Sequence, residues 1–173
     1  MKHKFFITIL PLVTYIITSC SKNKPPDTSS NNVSATISIG NNAPFQFSAT
    51  GSAVKFFQPL SAGGPEYTLE AIDTKNNKLH IGFDNLTQTG TYPFTSNDGL
   101  IGTGSVFTFI KDVGSASQLV YWTLDPSYTN RGSATVTVFN SHHIEGVFNA
   151  SCKPELTGGD VAQVSNGSFK VNY

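Results

Sequence analysis

The chain of 173 residues carries eleven basic and eleven acidic residues, and only 13% of its residues are charged. Soluble domains usually contain about 25% charged residues, and nucleic-acid binders concentrate basic residues on one face. The sparse, balanced charge therefore argues against a nucleic-acid partner. With only two cysteines, Cys20 and Cys152, the sequence also excludes a small scaffold held together by several disulfides.

The first twenty residues have the layout of a secretory signal peptide. Two basic residues near the start, Lys2 and Lys4, precede an apolar stretch over residues 5–17. That stretch is shorter than the roughly 20 apolar residues that cross a bilayer, and Pro11 interrupts it. We therefore expect residues 1–19 to be removed as a signal peptide during export.

The four residues around the expected cleavage point, Ile17-Thr18-Ser19-Cys20, resemble the lipobox of bacterial lipoproteins. The resemblance implies that the Cys20 sulfur carries a diacyl lipid and that its amine is acylated after cleavage, for example with palmitate. One acyl chain binds a membrane only marginally, whereas several chains anchor a protein stably. The alternative is an ordinary cleaved signal followed by a coincidental cysteine.

The residues after Cys20 predict which membrane holds the anchor. Ser21 stands where an aspartate would favour the inner membrane, so analogy with enterobacterial sorting points to the outer membrane. The segment lacks the acidic cluster typical of surface-exposed lipoproteins, which favours the periplasmic face. Residues 20–32 contain Pro25 and Pro26 but no large apolar side chain, so we expect a flexible tether after the lipidated cysteine.

Residues 33–173 have the pattern of a single β-domain. Apolar and polar residues alternate over residues 35–39 and again over 45–49, as on half-buried strands. Further strand patterns lie at residues 67–73, 78–84, 105–110, 119–124, 133–139, 144–151 and 167–172, with turn-forming clusters at 74–77, 97–99, 127–132 and 156–160. Residues 52–60 are ambiguous between helix and strand. The pattern predicts an all-β fold, an antiparallel β-sandwich, with a flattened, lipocalin-like barrel as the alternative.

Four short motifs resemble those of small Bacteroidetes lipoproteins that carry a single β-rich domain of unknown function. They are Gly90-Thr91-Tyr92, Gly132-Ser133-Ala134-Thr135-Val136-Thr137-Val138, Ile144-Glu145-Gly146-Val147-Phe148-Asn149-Ala150 and Gly167-Ser168-Phe169-Lys170-Val171. In that family the first motif is a turn and the other three are strands. The chain departs from the family in its loop over residues 153–159 and in lacking an early tryptophan. The resemblance supplies no catalytic residues.

Several residues of these motifs have structural explanations. Gly146 inside a strand predicts a bulge or a slot beneath a neighbouring aromatic ring, and Asn166-Gly167 predicts a turn or bulge that requires positive φ. Phe148 and Phe169 are expected in the core. If the other cysteine carries lipid, Cys152 has no disulfide partner, and we expect it to be buried as a small hydrophobe rather than to form a free reactive thiol.

No catalytic signature is present: the nucleophile elbow, the dinucleotide fingerprint and the calcium loop are all missing. The closest approach to a metal constellation is His142, His143 and Glu145. Adjacent strand residues point to opposite faces, so only His143 and Glu145 share a face. We expect solvated histidines there, and no metal or cofactor is predicted.

Four acidic residues, Glu66, Glu70, Asp73 and Asp84, lie on or beside predicted strands. A glycoside hydrolase needs two carboxylates about 5 Å apart, or about 6.5 to 9.5 Å apart. Because most acidic residues in a domain of this size are solvated or cap turns, a hydrolase is the third hypothesis for the function.

Tyr121 and Trp122 are the candidate ligand-facing residues. They are adjacent on a predicted strand, so at most one lies in the core and the other faces outward. An exposed aromatic ring is a common platform for a sugar ring, although aromatic rings in β-domains more often pack in the core. The first hypothesis is a lipid-anchored, non-enzymatic envelope module that binds a glycan or a partner protein. The alternative is a lipocalin-like carrier of a small apolar molecule.

Overall fold

The structure is a computed structural model that describes residues 28–59, 66–95, 104–123, 125, 129–155 and 158–173. The predicted signal peptide, Cys20, most of the tether and the turn at 97–99 lie outside these residues. Within the described ranges there are eleven strands and one short 3-10 helix. No helix among these residues is both long enough and apolar enough to cross a membrane.

All pairings between the strands are antiparallel, which confirms the predicted all-β, antiparallel fold. The strands are β1 (Asn32–Ile39), β2 (Phe45–Thr50), β3 (Val54–Phe57), β4 (Tyr67–Ile72), β5 (Lys78–Phe83), β6 (Gly90–Pro93), β7 (Val106–Lys111), β8 (Leu119–Trp122), β9 (Gly132–Asn140), β10 (His143–Pro154) and β11 (Ala162–Asn172).

One continuous path of strands builds both layers of the domain. The hydrogen-bonded order is β2-β1-β11-β10-β8-β7-β5-β4-β3, and β9 and β6 extend the sheet beside β10. The first part of β10 pairs with β9 and β11, whereas its end, Lys153 and Pro154, pairs with β8. We call β2, β1, β11, β10, β9 and β6 the first layer, and β3, β4, β5, β7 and β8 the second layer. Strand β10 therefore joins the two.

The other side of the domain is nearly closed by the chain itself. The two ends of the strand path, β2 and β3, are consecutive in sequence and are linked only by the 3-10 helix Gly51–Ala53. Gly51 has a φ of +60°, a conformation that glycine adopts at little cost. The domain thus combines the two predicted architectures, because two stacked layers belong to one nearly closed, barrel-like sheet.

Aromatic rings occupy the space between the layers. A chain of ring contacts runs from Phe94 to Phe107, Phe148, Phe169 and Phe83, with centroid separations of 5.6, 5.8, 6.3 and 6.0 Å. Each of these five rings is buried, and offset or edge-on contacts at such distances are favourable. The predicted core positions of Phe148 and Phe169 are therefore confirmed.

The predicted bulge at Asn166-Gly167 is present in the middle of β11. Asn166 has a φ of +51°, and the pairing register of β11 shifts at this point against both β1 and β10. The extra residue bends the strand and changes which residues face the core. A Cβ atom at Gly167 would lie 2.5 Å from the ring of Phe148, so glycine lets this ring pack against the backbone.

Gly146 forms the slot that its place in the strand predicts. A Cβ atom there would lie 2.4 Å from Cζ of Phe169 and 2.4 Å from the carbonyl oxygen of Thr135. The register of β10 against β9 also shifts between Glu145 and Gly146. The extra residue at this shift is Thr137 of β9, so of the two predicted alternatives Gly146 itself provides the slot beneath the aromatic ring.

Two segments differ from the sequence-based expectations. Gly90, Thr91 and Tyr92 form strand β6, which pairs with β9, so the turn implied by the family resemblance is wrong for this chain. The ambiguous segment at 52–60 contains the last two residues of the 3-10 helix, followed by strand β3. Both strands are only four residues long, too short for alternation to identify them.

The hydrogen-bonded part of the domain begins before residue 33. Asn31 is 2% exposed, and its side-chain oxygen accepts a hydrogen bond of 2.8 Å from the Asn172 backbone N–H. Its amide donates to the Asn172 carbonyl at 3.2 Å, and its own carbonyl accepts from the Gly51 N–H at 2.8 Å. These bonds tie the end of the predicted tether to the C-terminal strand.

Candidate functional site

The outer face of the second layer carries a row of side chains in register across six strands. Strand pairing places Lys55 opposite Glu70, Glu70 opposite His80, His80 opposite Thr108, Thr108 opposite Trp122 and Trp122 opposite Lys153. We call these six residues the cross-strand row. On the strands of the second layer, the residues next to them in sequence, such as Phe56, Leu79 and Tyr121, point inward and are buried. At about 4.8 Å per strand the row is about 24 Å long.

Tyr121 and Trp122, the two candidate aromatic residues, point to opposite faces of the sheet because they are neighbours on one strand. Tyr121 is 3% exposed and its ring stacks on Phe109 at a centroid distance of 6.0 Å. Burial also raises the pKa of the Tyr121 phenol. Tyr121 is therefore a core residue, and its selection as a ligand-facing residue was wrong. Trp122, the only tryptophan of the sequence, is half-buried on the outer face.

An ionic cluster occupies the middle of the row. Lys78 Nζ lies 2.7 Å from Glu70 Oε1, and His80 Nδ1 lies 3.5 Å from the same oxygen. Burial by itself would raise the pKa of Glu70, but the hydrogen bond and charge of Lys78 together with His80 lower it. Burial lowers the pKa of His80 and outweighs the opposite effect of Glu70. At neutral pH, Glu70 is ionised and His80 is neutral.

A depression of about 220 Å³ lies beside the row on the same face. It is lined by Pro59, Glu66, Tyr67, Thr68, His80, Gly82, Phe83, Asp84, Gly104 and Val106. We call it the His80 pocket. A Cβ atom at Gly82 would lie 2.9 Å from Cγ2 of Val106 and 3.6 Å from Nε2 of His80. The missing side chain therefore keeps the Nε2 edge of the imidazole accessible from the pocket.

The size of the His80 pocket limits what it can hold. Sites for drug-sized molecules usually measure about 300 to 1,000 Å³, so this pocket accommodates a single ring or side chain rather than a large cofactor. Its polar groups include one neutral imidazole and the carboxyl groups of Glu66 and Asp84. These groups offer hydrogen bonds to a neutral, hydroxyl-bearing ligand.

Two of the four candidate carboxylates, Asp73 and Glu70, are engaged by neighbouring groups. Asp73 accepts hydrogen bonds from the backbone N–H groups of Lys75 and Asn77, at 2.9 and 2.8 Å, and from the Asn77 amide. This makes Asp73 a turn residue. Glu70 is paired with Lys78, and only Glu66 and Asp84 share the His80 pocket.

No nucleophile is activated by His80 in the described part of the chain. A catalytic serine, threonine or cysteine normally hydrogen-bonds to its base. Thr108 stands opposite His80 in register, yet the ring of His80 has Glu70 as its only polar partner among the described residues. Among these residues, His80 is therefore paired with a carboxylate and not with a nucleophile.

His143 and Glu145 share a face as predicted, and His142 is exposed, but the expectation of a solvated side chain is wrong for His143, which is 20% exposed and hydrogen-bonded through both ring nitrogens. His143 Nε2 lies 2.7 Å from Glu145 Oε1, and its Nδ1 lies 2.6 Å from the Asn172 side-chain oxygen. Lys170 donates to the same Glu145 oxygen at 2.8 Å, and these hydrogen bonds lower the pKa of Glu145. His142 bonds to Ser141 instead. Across the described residues, no three His, Cys, Asp or Glu side chains are grouped to hold a metal ion.

Cys152 is fully buried, at 0% exposure, as predicted. Burial strongly raises the pKa of its thiol, so the reactive thiolate form is suppressed. Cys152 is therefore a packing residue of β10.

Comparison of the chain with protein-family models, with curated proteins and with solved structures found no match. The resemblance to Bacteroidetes lipoproteins therefore stays a prediction.

Proposed function

We propose that this chain is a lipid-anchored, non-enzymatic binding module of the cell envelope that holds a glycan on the outer face of its second layer. The observation that carries the proposal is the position of Trp122. The sole tryptophan stands half-buried on a solvent-facing sheet, in register with polar side chains and on the same face as the glycine-floored His80 pocket.

The chemistry of this face suits a sugar. The C–H face of a sugar ring stacks on an aromatic ring, and its hydroxyl groups need donors and acceptors fixed nearby. Trp122 provides the ring, and Thr108 and His80 provide neutral polar groups along the same row. Gly82 keeps the surface beside them open. A second unit of the glycan would enter the His80 pocket.

The filled core supports an outer site over an inner one. A carrier of a small apolar molecule requires a cavity between the layers, and that space is occupied by the ring contacts of Phe83, Phe107, Phe148 and Phe169. A hydrolase requires converging carboxylates, of which Asp73 and Glu70 are already engaged elsewhere. The binding module is the function that these observations favour.

The anchor belongs to the same proposal. Lipid on Cys20 would hold the domain on the periplasmic face of the outer membrane, where glycans of the envelope are available as ligands. Labelling of cells with a palmitate analogue tests this part directly. We expect label on the native chain and none on Cys20→Ala, which should appear in the soluble periplasmic fraction.

The glycan site is tested by titration calorimetry of residues 21–173 with a panel of envelope polysaccharides. We expect Trp122→Ala and Gly82→Val to weaken binding at least tenfold, because they remove the platform and fill the pocket floor. Val147→Ala is the matched control, since Val147 is an exposed apolar residue (52%) on the first layer. Equal binding by all three variants would contradict the proposed site.

A further inference from the structure

A second pocket, of about 420 Å³, lies at the free end of the strand path. It is lined by Thr28, Asn31, Ser52, Val54, Lys55, Phe56, Phe57, Asn172 and Tyr173. We call it the β3-edge pocket, because β3 ends the path and pairs only with β4 among the described strands. Phe57 at its rim is 41% exposed, one of the few large apolar residues that the described structure leaves open to solvent.

The polar residues of this pocket divide into two kinds. Asn31 and Asn172 hydrogen-bond to each other and therefore form part of the wall. Lys55 is exposed, and it makes no ion pair within the described residues. Besides the hydroxyl groups of Thr28 and Ser52, the pocket thus offers a partner an aromatic surface and one ammonium group.

The aromatic part of the pocket is held rigidly. The ring of Tyr173 lies 4.6 Å from that of Phe56, and its hydroxyl donates to the Asn140 carbonyl at 2.5 Å. Phe56 also stacks on Tyr67 at 5.2 Å. The rim residue Phe57 therefore projects from a fixed base, which reduces the entropy lost when it binds a surface.

The tether enters the domain at this pocket. Thr28 lines it and is the first residue that the structure describes. Seven residues lie between Cys20 and Thr28, and the eight Cα–Cα steps that join these two residues can span at most about 29 Å. Lys22, Lys24 and Asp27 lie in this stretch, which has a net charge of +1. If Cys20 carries lipid, the pocket can never be far from the headgroups of the membrane.

We propose that the β3-edge pocket docks on the anionic lipid surface to which the chain is tethered. Phe57 enters the interfacial region, where exposed apolar and aromatic side chains of membrane-bound proteins reside. Lys55 pairs with a lipid phosphate, and the two tether lysines add to the attraction of an anionic surface. This inference depends on the lipid anchor of the proposed function and extends it to the orientation of the domain.

Docking would orient the glycan site. Lys55 belongs both to this pocket and to the end of the cross-strand row. Trp122 stands four strands further along that row, about 19 Å away. Lys55 and Phe57 point out from the same face as Trp122, so the domain must dock through the β3 edge, and not through the whole face, to leave Trp122 open to a glycan.

The test couples the Cys20 thiol of residues 20–173 to a maleimide-bearing phospholipid in vesicles, so that it does not depend on lipidation by the cell. Buried Cys152 does not compete for the maleimide. In a Trp122→Phe background, Phe57→Trp places a reporter at the rim. We expect lipids brominated near the carbonyl to quench this reporter severalfold more than a Val147→Trp reporter on the first layer. We also expect stronger quenching in vesicles that contain anionic lipid than in neutral ones.

A second variant, which carries Lys55→Glu together with Phe57→Trp, tests the contribution of the lysine charge. We expect this variant to lose most of the additional quenching that anionic lipid produces. Equal quenching of the two reporters, or none at either position, would overturn the docking proposal. A spectral change of the rim reporter with inorganic phosphate alone, without vesicles, would also overturn it and indicate a soluble anion as the ligand. Failure of the anchor is seen separately, as absence of palmitate label on native Cys20.

Discussion

Substitution of Gly146 by alanine tests the packing between the two layers. The added methyl group would lie 2.4 Å from Phe169 Cζ and 2.4 Å from the Thr135 carbonyl oxygen. The Thr135 oxygen belongs to the β9 backbone, and the Phe169 ring is confined between Phe83 and Phe148 at 6.0 and 6.3 Å. Neither neighbour can move without disturbing a strand or the chain of rings.

The expected decrease in the free energy of unfolding is the difference between two opposing contributions. Overpacking of a core costs about 1 to 3 kcal/mol, and the unyielding backbone contact places Gly146→Ala near the upper end. Alanine in place of glycine also reduces the freedom of the unfolded chain, which offsets about 0.4 to 1 kcal/mol. We expect a net loss of about 2 kcal/mol in the free energy of unfolding. For a domain of this size that is a fall in Tm of about 8 °C.

The assay is urea unfolding and thermal unfolding of residues 21–173, followed by circular dichroism. Gly82→Ala is the matched control, because its methyl group would lie on the outer face, 2.9 Å from the end of the Val106 side chain and in ordinary contact with His80 Nε2 at 3.6 Å, with no backbone atom in the way. We expect the control to change stability by less than about 0.5 kcal/mol. A Gly146→Ala variant as stable as the control would refute the close packing of Phe169 over Gly146. In a double-mutant cycle, Gly146→Ala should cost less stability in a Phe169→Leu background than in the native chain, because the smaller side chain relieves the clash.

Three further predictions follow from individual contacts. Asn31→Ala should lower the free energy of unfolding by about 2 kcal/mol, because it removes two hydrogen bonds between a buried side chain and the Asn172 backbone. An unchanged urea midpoint would contradict a structural role for residue 31. In a Cys20→Ala chain, Cys152 should react with a thiol reagent only at the rate of unfolding, and fast labelling of the native chain would contradict its burial. Since the folded pKa of His80 is lowered, the unfolded state binds the proton more tightly, so stability should fall as pH drops below about 6.5. His80→Gln should flatten this part of a pH–stability curve, and an unaltered curve would contradict the burial of the imidazole.

Alternation of side chains was enough to identify the strands of six or more residues, apart from the first half of β11. In β5 (Lys78–Phe83), alternate residues face the core and His80 points outward, as the sequence indicates. The same rule required Tyr121 and Trp122 to separate, but it did not determine which of them lies inside. That choice depends on the ring of Phe109 in the neighbouring strand, a contact that no local pattern reveals.

The first half of β11 was not predicted, because a bulge interrupts the alternation of core-facing and solvent-facing residues by which a strand is identified. Ala162 and Val164 face the core before the bulge, whereas Phe169 and Val171 do so after it. The extra residue at Asn166 shifts the alternation by one position, so the pattern breaks at this point. The sequence therefore predicted only residues 167–172, although the bulge itself was predicted from the Asn-Gly pair.

The cross-strand row depends on strand order and could not be found from the sequence. Glu70, His80, Thr108 and Trp122 lie on four different strands, and β8 joins β10 only through the last two residues of that long strand. The one local signal was Gly82, since a glycine inside an alternating strand often marks a place where a ligand or another part of the chain approaches the backbone closely.

The most direct test of the glycan site is the fluorescence of Trp122 during titration of residues 21–173 with the envelope polysaccharides. Because Trp122 is the only tryptophan, its emission reports on the outer face of the second layer alone. We predict a saturable shift in emission whose midpoint equals the Kd from calorimetry, and its loss in Gly82→Val. Binding detected by calorimetry without any change in the emission of Trp122 would place the ligand elsewhere and contradict the proposed function of this face.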